Sequence, residues 1–99
     1  MAKKPETAFA EKVDADLKNT FGADIWIENI QQVGKSGTPD RLICLKGAFI
    51  ALELKTDKGT ASKIQLLKLN RLRIAGGRGF IVTPTNWQKI LKWLLDFSN

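Results

Sequence analysis

Two apolar runs, residues 41–45 and residues 48–55, lie on either side of the dipeptide Lys46-Gly47. Their length and their content of Leu, Ile and Phe predict two strands, and the two-residue break predicts a tight antiparallel hairpin. Because both runs are almost continuously apolar, we expect them to be central strands of a sheet. The fold is therefore expected to be built around this hairpin.

Apolar spacing and helix-end signals predict the remaining elements. A three- and four-residue repeat of apolar side chains predicts a helix over residues 6–21, and alternation predicts a strand over residues 24–30. Residues 31–39 contain two Gly and one Pro and are expected to form a loop. After the hairpin we expect a helix over residues 62–75, a strand over residues 79–83 and a last helix over residues 85–97.

The resulting order, αβββαβα, indicates an α/β fold with a mixed central sheet. The strand-helix-strand passage over residues 48–83 should form a right-handed crossover between parallel strands. Ninety-nine residues fit a single domain, with a core over about residues 6–83 and a C-terminal helix. We expect Thr85 and Gln88 to form a capping box at that helix, and Cys44 to be a core residue of the hairpin.

Composition excludes several kinds of site. The chain has no His, no Tyr and one Cys, so a zinc centre of imidazole and thiolate, a Ser-His-Asp triad and an intrachain disulfide all lack necessary parts. Any catalysis must use carboxylates, amines, hydroxyls or amides, with or without a hard metal ion. No stretch approaches the roughly 18 apolar residues of a membrane span, so we expect a cytoplasmic protein without a membrane partner.

Positive charge is concentrated in the second half of the chain. Residues 1–54 carry seven basic and eight acidic side chains, whereas residues 55–92 carry nine basic side chains and one acidic side chain. A segment with this excess attracts polyanions, nucleic acid above all, because neutralising phosphates releases counterions. A solvated basic face without a partner is the alternative that charge alone leaves open.

The hairpin is also expected to bring two carboxylates together. Alternation along residues 48–55 places Glu53 and Lys55 on one face of a central strand. A turn centred on Lys46-Gly47 sets Asp40 opposite Glu53. Opposed like charges destabilise a sheet, and a divalent cation such as Mg²⁺, which prefers oxygen ligands, would offset the repulsion. The alternative is a Glu53–Lys55 ion pair with Asp40 capping a turn.

Two further polar residues each have two interpretations. Glu6 continues the apolar stripe of the first helix, where it can serve the same site or only interact with the helix dipole. Gln65 shares a stripe with Leu69 and Leu72, so it can face the sheet. Ser62 and Gln65 also form a capping-box pattern, which would use the amide locally.

Three short segments, Gly37-Thr-Pro-Asp40, Glu53-Leu-Lys55 and Ser62-Lys-Ile-Gln65, follow one another at intervals that resemble the PD-(D/E)xK nuclease superfamily. The sequence is similar to its VRR-NUC branch, in the small stand-alone form of phages and bacteria, over about residues 6–83. The resemblance implies a restriction-endonuclease-like αβββαβ core. It also implies a Mg²⁺- or Mn²⁺-dependent site that hydrolyses DNA phosphodiester bonds.

The same resemblance implies a set of metal-binding residues. Asp40 and Glu53 would be side-chain ligands, and the backbone carbonyl of Leu54 would be a third. Glu6 would reach the metal directly or through water. Such a site supplies charge neutralisation and a positioned water without any His.

The resemblance also implies catalytic and DNA-binding residues beyond the metal ligands. Lys55 would orient or deprotonate the attacking water, and Gln65 would hold Lys55 or the scissile phosphate in place. Arg41 stands where the family usually has an aliphatic residue, and it is a candidate for an added phosphate contact. The other candidates for DNA-backbone contacts are Lys35, Lys58, Lys63, Lys68 and Arg71.

The predicted C-terminal helix carries more apolar surface than one face of a small domain needs, including Trp87, Trp93 and several Leu residues. We therefore predict a twofold homodimer that uses this surface, the alternative being that all these residues pack on their own sheet. The stand-alone proteins that the sequence resembles are dimeric junction-cleaving nucleases. The resemblance thus implies branched DNA, such as a four-way junction, as a substrate.

Two other classes of function remain open at this point. One is a non-catalytic DNA- or RNA-binding module, in which the basic segment binds and the acids are structural. The other is a small phosphatase or nucleotide hydrolase, although the run Gly76-Gly77-Arg78-Gly79 lacks the Lys-Ser/Thr pair of a phosphate-binding loop. Metal binding that depends on Asp40 and Glu53 separates an enzyme from a binding module.

Overall fold

The computed structural model of the chain describes residues 4–30 and 37–99. In chain order the elements are α1 (Pro5–Phe21), β1 (Ile25–Asn29), β2 (Arg41–Leu45), β3 (Ala48–Leu54), α2 (Lys63–Ile74), β4 (Arg78–Val82) and α3 (Trp87–Ser98), with a 3₁₀ turn at Gly22–Asp24. The predicted order αβββαβα is confirmed. No helix within the two described ranges is long and apolar enough to cross a membrane.

The four strands form one mixed sheet in the order β1-β2-β3-β4. Strand β2 pairs antiparallel with β1 and β3, whereas β4 pairs parallel with β3. The β2–β3 turn has positive φ at both central residues, 50° at Lys46 and 80° at Gly47. This is the backbone of the type I′ turn, whose twist matches that of a hairpin. It fixes the register with Leu45 opposite Ala48, as predicted.

The apolar core lies between one face of the sheet and helices α1 and α3. Trp87 is 1% exposed there and donates its indole N–H to Asp16 of α1 at 2.8 Å. Because Trp87 is used inside its own fold, any subunit contact of α3 must use other residues of that helix. The core side chains are Phe9, Val13, Leu17, Phe21, Ile43, Leu45, Ile50, Leu52, Val82, Trp87, Ile90 and Leu94.

Helix α2 packs on the opposite face of the sheet, over β3 and β4. Its close approach depends on glycine, since a Cβ atom added at Gly79 would lie 2.9 Å from Cδ2 of Leu69. A Cβ atom added at Gly77 would lie 2.6 Å from Cδ1 of Leu72. The glycine-rich run after α2 thus serves the packing of a helix on a strand.

The part of that same face formed by β1 and β2 is exposed. Trp26, Cys44 and Phe49 form one row across three strands, and Trp26 and Phe49 are 51% and 47% exposed. Cys44 is exposed as well, so the prediction that it belongs to the core is wrong. Its alternation along β2 was correct, but α2 does not extend far enough to cover it.

Helix α3 begins at Trp87, and the predicted capping box between Thr85 and Gln88 is wrong. The N–H and the hydroxyl of Thr85 both donate to Oδ1 of Asp57, at 3.2 and 2.7 Å. The amide of Asn86 bonds backbone groups at the end of β4. The turn before α3 is therefore held by contacts to other segments, which a local capping pattern cannot reveal.

Candidate active site

The β2–β3 hairpin sets two acidic residues opposite each other at one end of the sheet. The observed register pairs Arg41 with Leu52, and the next step along both chains brings Asp40 against Glu53. Oδ2 of Asp40 accepts a hydrogen bond of 2.9 Å from the N–H of Leu54. The Asp40 side chain therefore reaches across to the opposite strand, next to the acid that the register predicted.

Glu53 is an acidic side chain buried at 3% exposure on the face that α2 covers. Its Oε1 atom accepts a hydrogen bond of 2.7 Å from Nε2 of Gln65 and lies 3.6 Å from Nζ of Lys55. Its Oε2 atom is buried and has no hydrogen-bond partner among residues 4–30 and 37–99. A buried carboxylate oxygen without a partner has lost its hydration without compensation, which lowers the stability of the fold.

The surroundings of Glu53 favour its protonated form. Burial, and then repulsion from the Asp40 carboxylate, raise the pKa of Glu53 from 4.5 to about 7, against the opposing attraction of the Lys55 ammonium. A carboxyl group that retains its proton near neutral pH is one at which a cation can replace that proton.

Gln65 combines the two roles that the sequence left open. Ser62 Oγ accepts from the N–H of Gln65 at 3.2 Å, and Gln65 Oε1 accepts from the N–H of Ser62 at 2.9 Å. This capping box uses the oxygen of the amide, so the nitrogen is left to donate to Glu53. The start of α2 therefore fixes which end of the Gln65 amide faces the acid.

Lys55 follows β3 directly and stays attached to the sheet. Its N–H donates to the C=O of Val82 at 2.8 Å, and its side chain is 23% exposed. The ammonium thus lies at the border between the buried acid and solvent. The Glu53–Lys55 ion pair of the alternative interpretation is present, together with the opposed carboxyl groups.

Glu6 lies apart from the Asp40–Glu53 pair. It is exposed on the first turn of α1, where it lines a depression of about 350 Å³ with Thr56, Asp57 and Lys58. Within the described ranges, no three acidic side chains are grouped closely enough to hold one ion. The depression nevertheless begins at Thr56, the residue that follows Lys55.

Arg41 has partners that the sequence did not indicate. Its Nε and Nη2 atoms donate to the two carboxylate oxygens of Asp14 at 2.9 and 3.1 Å, and the Arg41 side chain is 12% exposed. Asp14 lies on α1, and it was not among the candidate residues. No local pattern could have found it, because the pair is 27 positions apart in sequence.

The basic candidates lie mainly on α2. Lys63 and Arg71 are exposed and Lys68 is half-buried, on the helix whose first turn bonds Glu53. Lys58 lies in the loop between β3 and α2. Lys35 lies outside the described residues and stays a prediction.

The residues present fit a hard divalent cation. Asp40, Glu53 and the carbonyl of Leu54 would supply oxygen, the donor that Mg²⁺ and Mn²⁺ prefer. The partnerless Oε2 atom of Glu53 is a buried acceptor that such an ion would satisfy. Glu53 and Asp40 repel each other without a cation between them, and a cation would remove that cost.

Comparison with known proteins gives one consistent result. No family model matches the sequence, and no curated sequence matches it. Among solved structures, the chain is similar to one described as a VRR_NUC domain, with a TM-score of 0.65 and 26% sequence identity over 83% of this chain and 92% of that chain. The architecture is that of a restriction-endonuclease-like α/β domain. The likeness supports its assignment as a VRR-NUC domain protein, a nuclease-type domain.

Proposed function

We propose that the protein is a divalent-metal-dependent endonuclease that hydrolyses DNA phosphodiester bonds. The observation that carries this proposal is the partnerless, buried Oε2 atom of Glu53, set against Asp40 and close to the Lys55 ammonium. The fold gains no stability from two opposed carboxyl groups in its sheet. Local features that oppose stability are expected at functional sites.

Asp40, Glu53 and the Leu54 carbonyl are the proposed ligands of Mg²⁺ or Mn²⁺. When bound, such an ion would stabilise negative charge on the phosphoryl oxygens and lower the pKa of a bound water. The N–H of Leu54 holds one oxygen of Asp40, which limits the rotation of that ligand. Because Glu6 is exposed and lies outside the pair, we propose that it acts through water.

Two side chains complete the proposed catalytic set. Lys55 orients the attacking water or accepts its proton, from the border between the buried acid and solvent. Gln65 holds Glu53 at 2.7 Å, and through Glu53 it also fixes the position of Lys55. Its capping box prevents the amide from turning over, so the ligand is held by an element of secondary structure.

The DNA backbone is proposed to run along α2. Lys63, Lys68 and Arg71 are on this helix, and Lys58 precedes it. Their positive charges would bind phosphates without reading sequence. The first turn of α2 also contacts Glu53, so DNA on this helix would lie beside the proposed metal site.

Branched DNA, with a four-way junction as the leading candidate, is the proposed substrate, and a homodimer is the proposed assembly. One domain with one site makes one cut, whereas symmetric junction cleavage needs two, which a twofold dimer supplies. The apolar residues of α3 that stay partly exposed are Trp93 and Leu95, at 39% and 41%. They are the proposed contact, and light scattering at micromolar protein should give about twice 11.0 kDa.

The proposed compartment is the cytoplasm. Cys44 is the single cysteine of the chain and it is exposed. An exposed thiol without an intrachain partner suits a reducing compartment, because an oxidising one favours intermolecular disulfides.

A cleavage assay tests the proposed activity. Labelled junction, flap, duplex and single-stranded DNA of equal length are each incubated with protein and Mg²⁺, Mn²⁺ or EDTA. We expect cutting with either metal, none with EDTA, and the highest rate on the junction. Cutting that persists in EDTA would contradict the metal requirement, and equal rates on all four substrates would contradict only the branched-DNA preference.

The second candidate function is a non-catalytic nucleic-acid-binding module. The observation that favours it is the Glu53–Lys55 ion pair, which gives both side chains a structural use. In that case the assay would show DNA binding without cutting in any metal, and Lys55→Ala would change stability but no reaction.

A further inference from the structure

The side chain of Arg41 is held by three hydrogen bonds next to the proposed metal site. Two of them join it to both oxygens of Asp14 on α1, and the third runs from its Nη1 atom to the C=O of Asp40 at 3.1 Å. Two parallel bonds between a guanidinium and a carboxylate fix both distance and orientation. Arg41 therefore ties helix α1 to the backbone of the residue that carries the proposed ligand.

Asp40 is held at three points. Its C=O accepts from the N–H of Ile30 at 3.0 Å as well as from Arg41, and its Oδ2 atom accepts from the N–H of Leu54. Repulsion from the Glu53 carboxylate pushes Asp40 away from the position in which both acids could share an ion. Contacts that hold the Asp40 backbone against this repulsion preserve the geometry of the pair.

We propose that the Asp14–Arg41 pair is a positioning device for Asp40, and that it sets the affinity of the site for its divalent cation. This inference rests on the proposed function, because it takes Asp40 to be a metal ligand. It gives Arg41 a role other than the phosphate contact considered from the sequence. The guanidinium donors point to Asp14 and to the chain, and the side chain is 12% exposed.

Asp14 offers the sharpest test, because an acidic residue cannot itself hold a DNA phosphate. Replacing it can weaken metal binding through Arg41, whereas a DNA-binding role of Arg41 predicts no change in metal binding. Asp16→Asn is the matched control. It makes the same change two residues further along α1, and the recorded partners of Asp16 are Lys12 and Trp87.

The experiment is calorimetric titration of the metal-free full chain with Mn²⁺ in the absence of DNA. Outer contacts of metal ligands are typically worth about 10- to 100-fold in affinity, so we expect Asp14→Asn and Arg41→Lys each to weaken binding about 10-fold. Lys keeps the charge but lacks the planar fork. Asp16→Asn should stay within about twofold of the parent, and the double variant D14N/R41K should be no weaker than the weaker single variant.

A second readout needs no metal. Because the N–H of Leu54 is bonded to Asp40 Oδ2, its hydrogen exchange should become faster in Asp14→Asn and in Arg41→Lys, while the amide of Ile50 in the middle of β3 should keep its rate. Circular dichroism and a thermal melt identify any variant that fails to fold, and the other variant then carries the test.

Three outcomes are decisive. Weaker Mn²⁺ binding and faster Leu54 exchange in the variants support the positioning role. A parent that binds Mn²⁺ through Glu53, with variants that bind it equally well, overturns the positioning role and leaves the nuclease proposal standing. A parent that shows no Mn²⁺ binding overturns the nuclease proposal, and with it this inference.

Discussion

Leu52 and Glu53 are neighbours on β3 and almost equally hidden from solvent, at 0% and 3% exposure, but they face opposite sides of the sheet. Leu52 points into the core between the sheet and helices α1 and α3. Glu53 points toward α2, against the Asp40 carboxyl group and the amide of Gln65. One strand therefore has an apolar face that stabilises the fold and a polar end that opposes it.

The difference between the two faces indicates where function was placed. The side toward α1 and α3 follows the ordinary rule that apolar side chains are buried. The side toward α2 buries an acid with one partnerless oxygen and raises the pKa of Glu53 to about 7. Each of the following predictions separates the two faces by a different measurement.

The largest expected effect is on cleavage. Asp40→Asn, Glu53→Gln and Lys55→Ala should each lower kcat by about 1,000-fold or more, because each removes a metal ligand or the water-orienting amine, worth about 4 kcal/mol. DNA binding should stay within a few-fold of the parent. Lys89→Ala, at an exposed lysine of α3, is the control. A loss of activity in that control comparable to Lys55→Ala would indicate a charge effect without a specific site.

The next effect is on stability, and it should differ in sign between adjacent residues. Leu52→Ala should lower the free energy of unfolding by about 3 kcal/mol, because it leaves a cavity in the apolar core. Glu53→Gln should leave the metal-free protein at least as stable as the parent at pH 8, because it removes the charge repelled by Asp40. Urea unfolding at that pH measures both. A Glu53→Gln protein much less stable than the parent would show that the acid supports the fold.

The third effect is on the pH dependence of stability. The folded protein binds the Glu53 proton more tightly than the unfolded chain does, since the pKa of Glu53 rises from 4.5 to about 7 on folding. The stability that this proton confers is fully present below about pH 4.5, and it is lost as the pH rises through about 7. Metal-free melting temperatures should show this decline in the parent, and a weaker decline in Glu53→Gln. Identical profiles for the two proteins would contradict the raised pKa.

The smallest effect is on the salt dependence of DNA binding. Replacing Lys63, Lys68 and Arg71 together by Ala should reduce the slope of log affinity against log salt by about 2 to 3, because each lost phosphate contact contributes about 0.9. Fluorescence anisotropy with an uncut duplex in EDTA measures the slope. An unchanged slope would place the DNA away from α2, without affecting the account of the metal site.

Local signals in the sequence were sufficient for the elements and for the pairing of the two acids. The turn residues Lys46-Gly47 determine the register of the hairpin, and the alternation along β3 determines which side chains share a face. Together they place Asp40 against Glu53 before any helix is considered. Both signals act over a few residues, so one sequence is enough to read them.

The features that the sequence could not predict depend on distant segments. Cys44 is exposed because α2 ends its cover of the sheet at β3, which alternation along β2 cannot show. The partner of Arg41 lies on another helix, and Thr85 bonds Asp57 in place of the local capping box. Packing between elements decided each of these contacts, whereas the pattern within one element suggested something else.

The most direct test of the central claim is whether the opposed carboxyl groups bind a divalent cation. Metal-free protein at pH 7.5 is titrated with Mn²⁺ in a calorimeter, in parallel with Asp40→Asn and Glu53→Gln. The account predicts saturable binding by the parent, accompanied by proton release, and at least about 100-fold weaker binding by both variants. Binding of equal strength in the parent and in Glu53→Gln would contradict it.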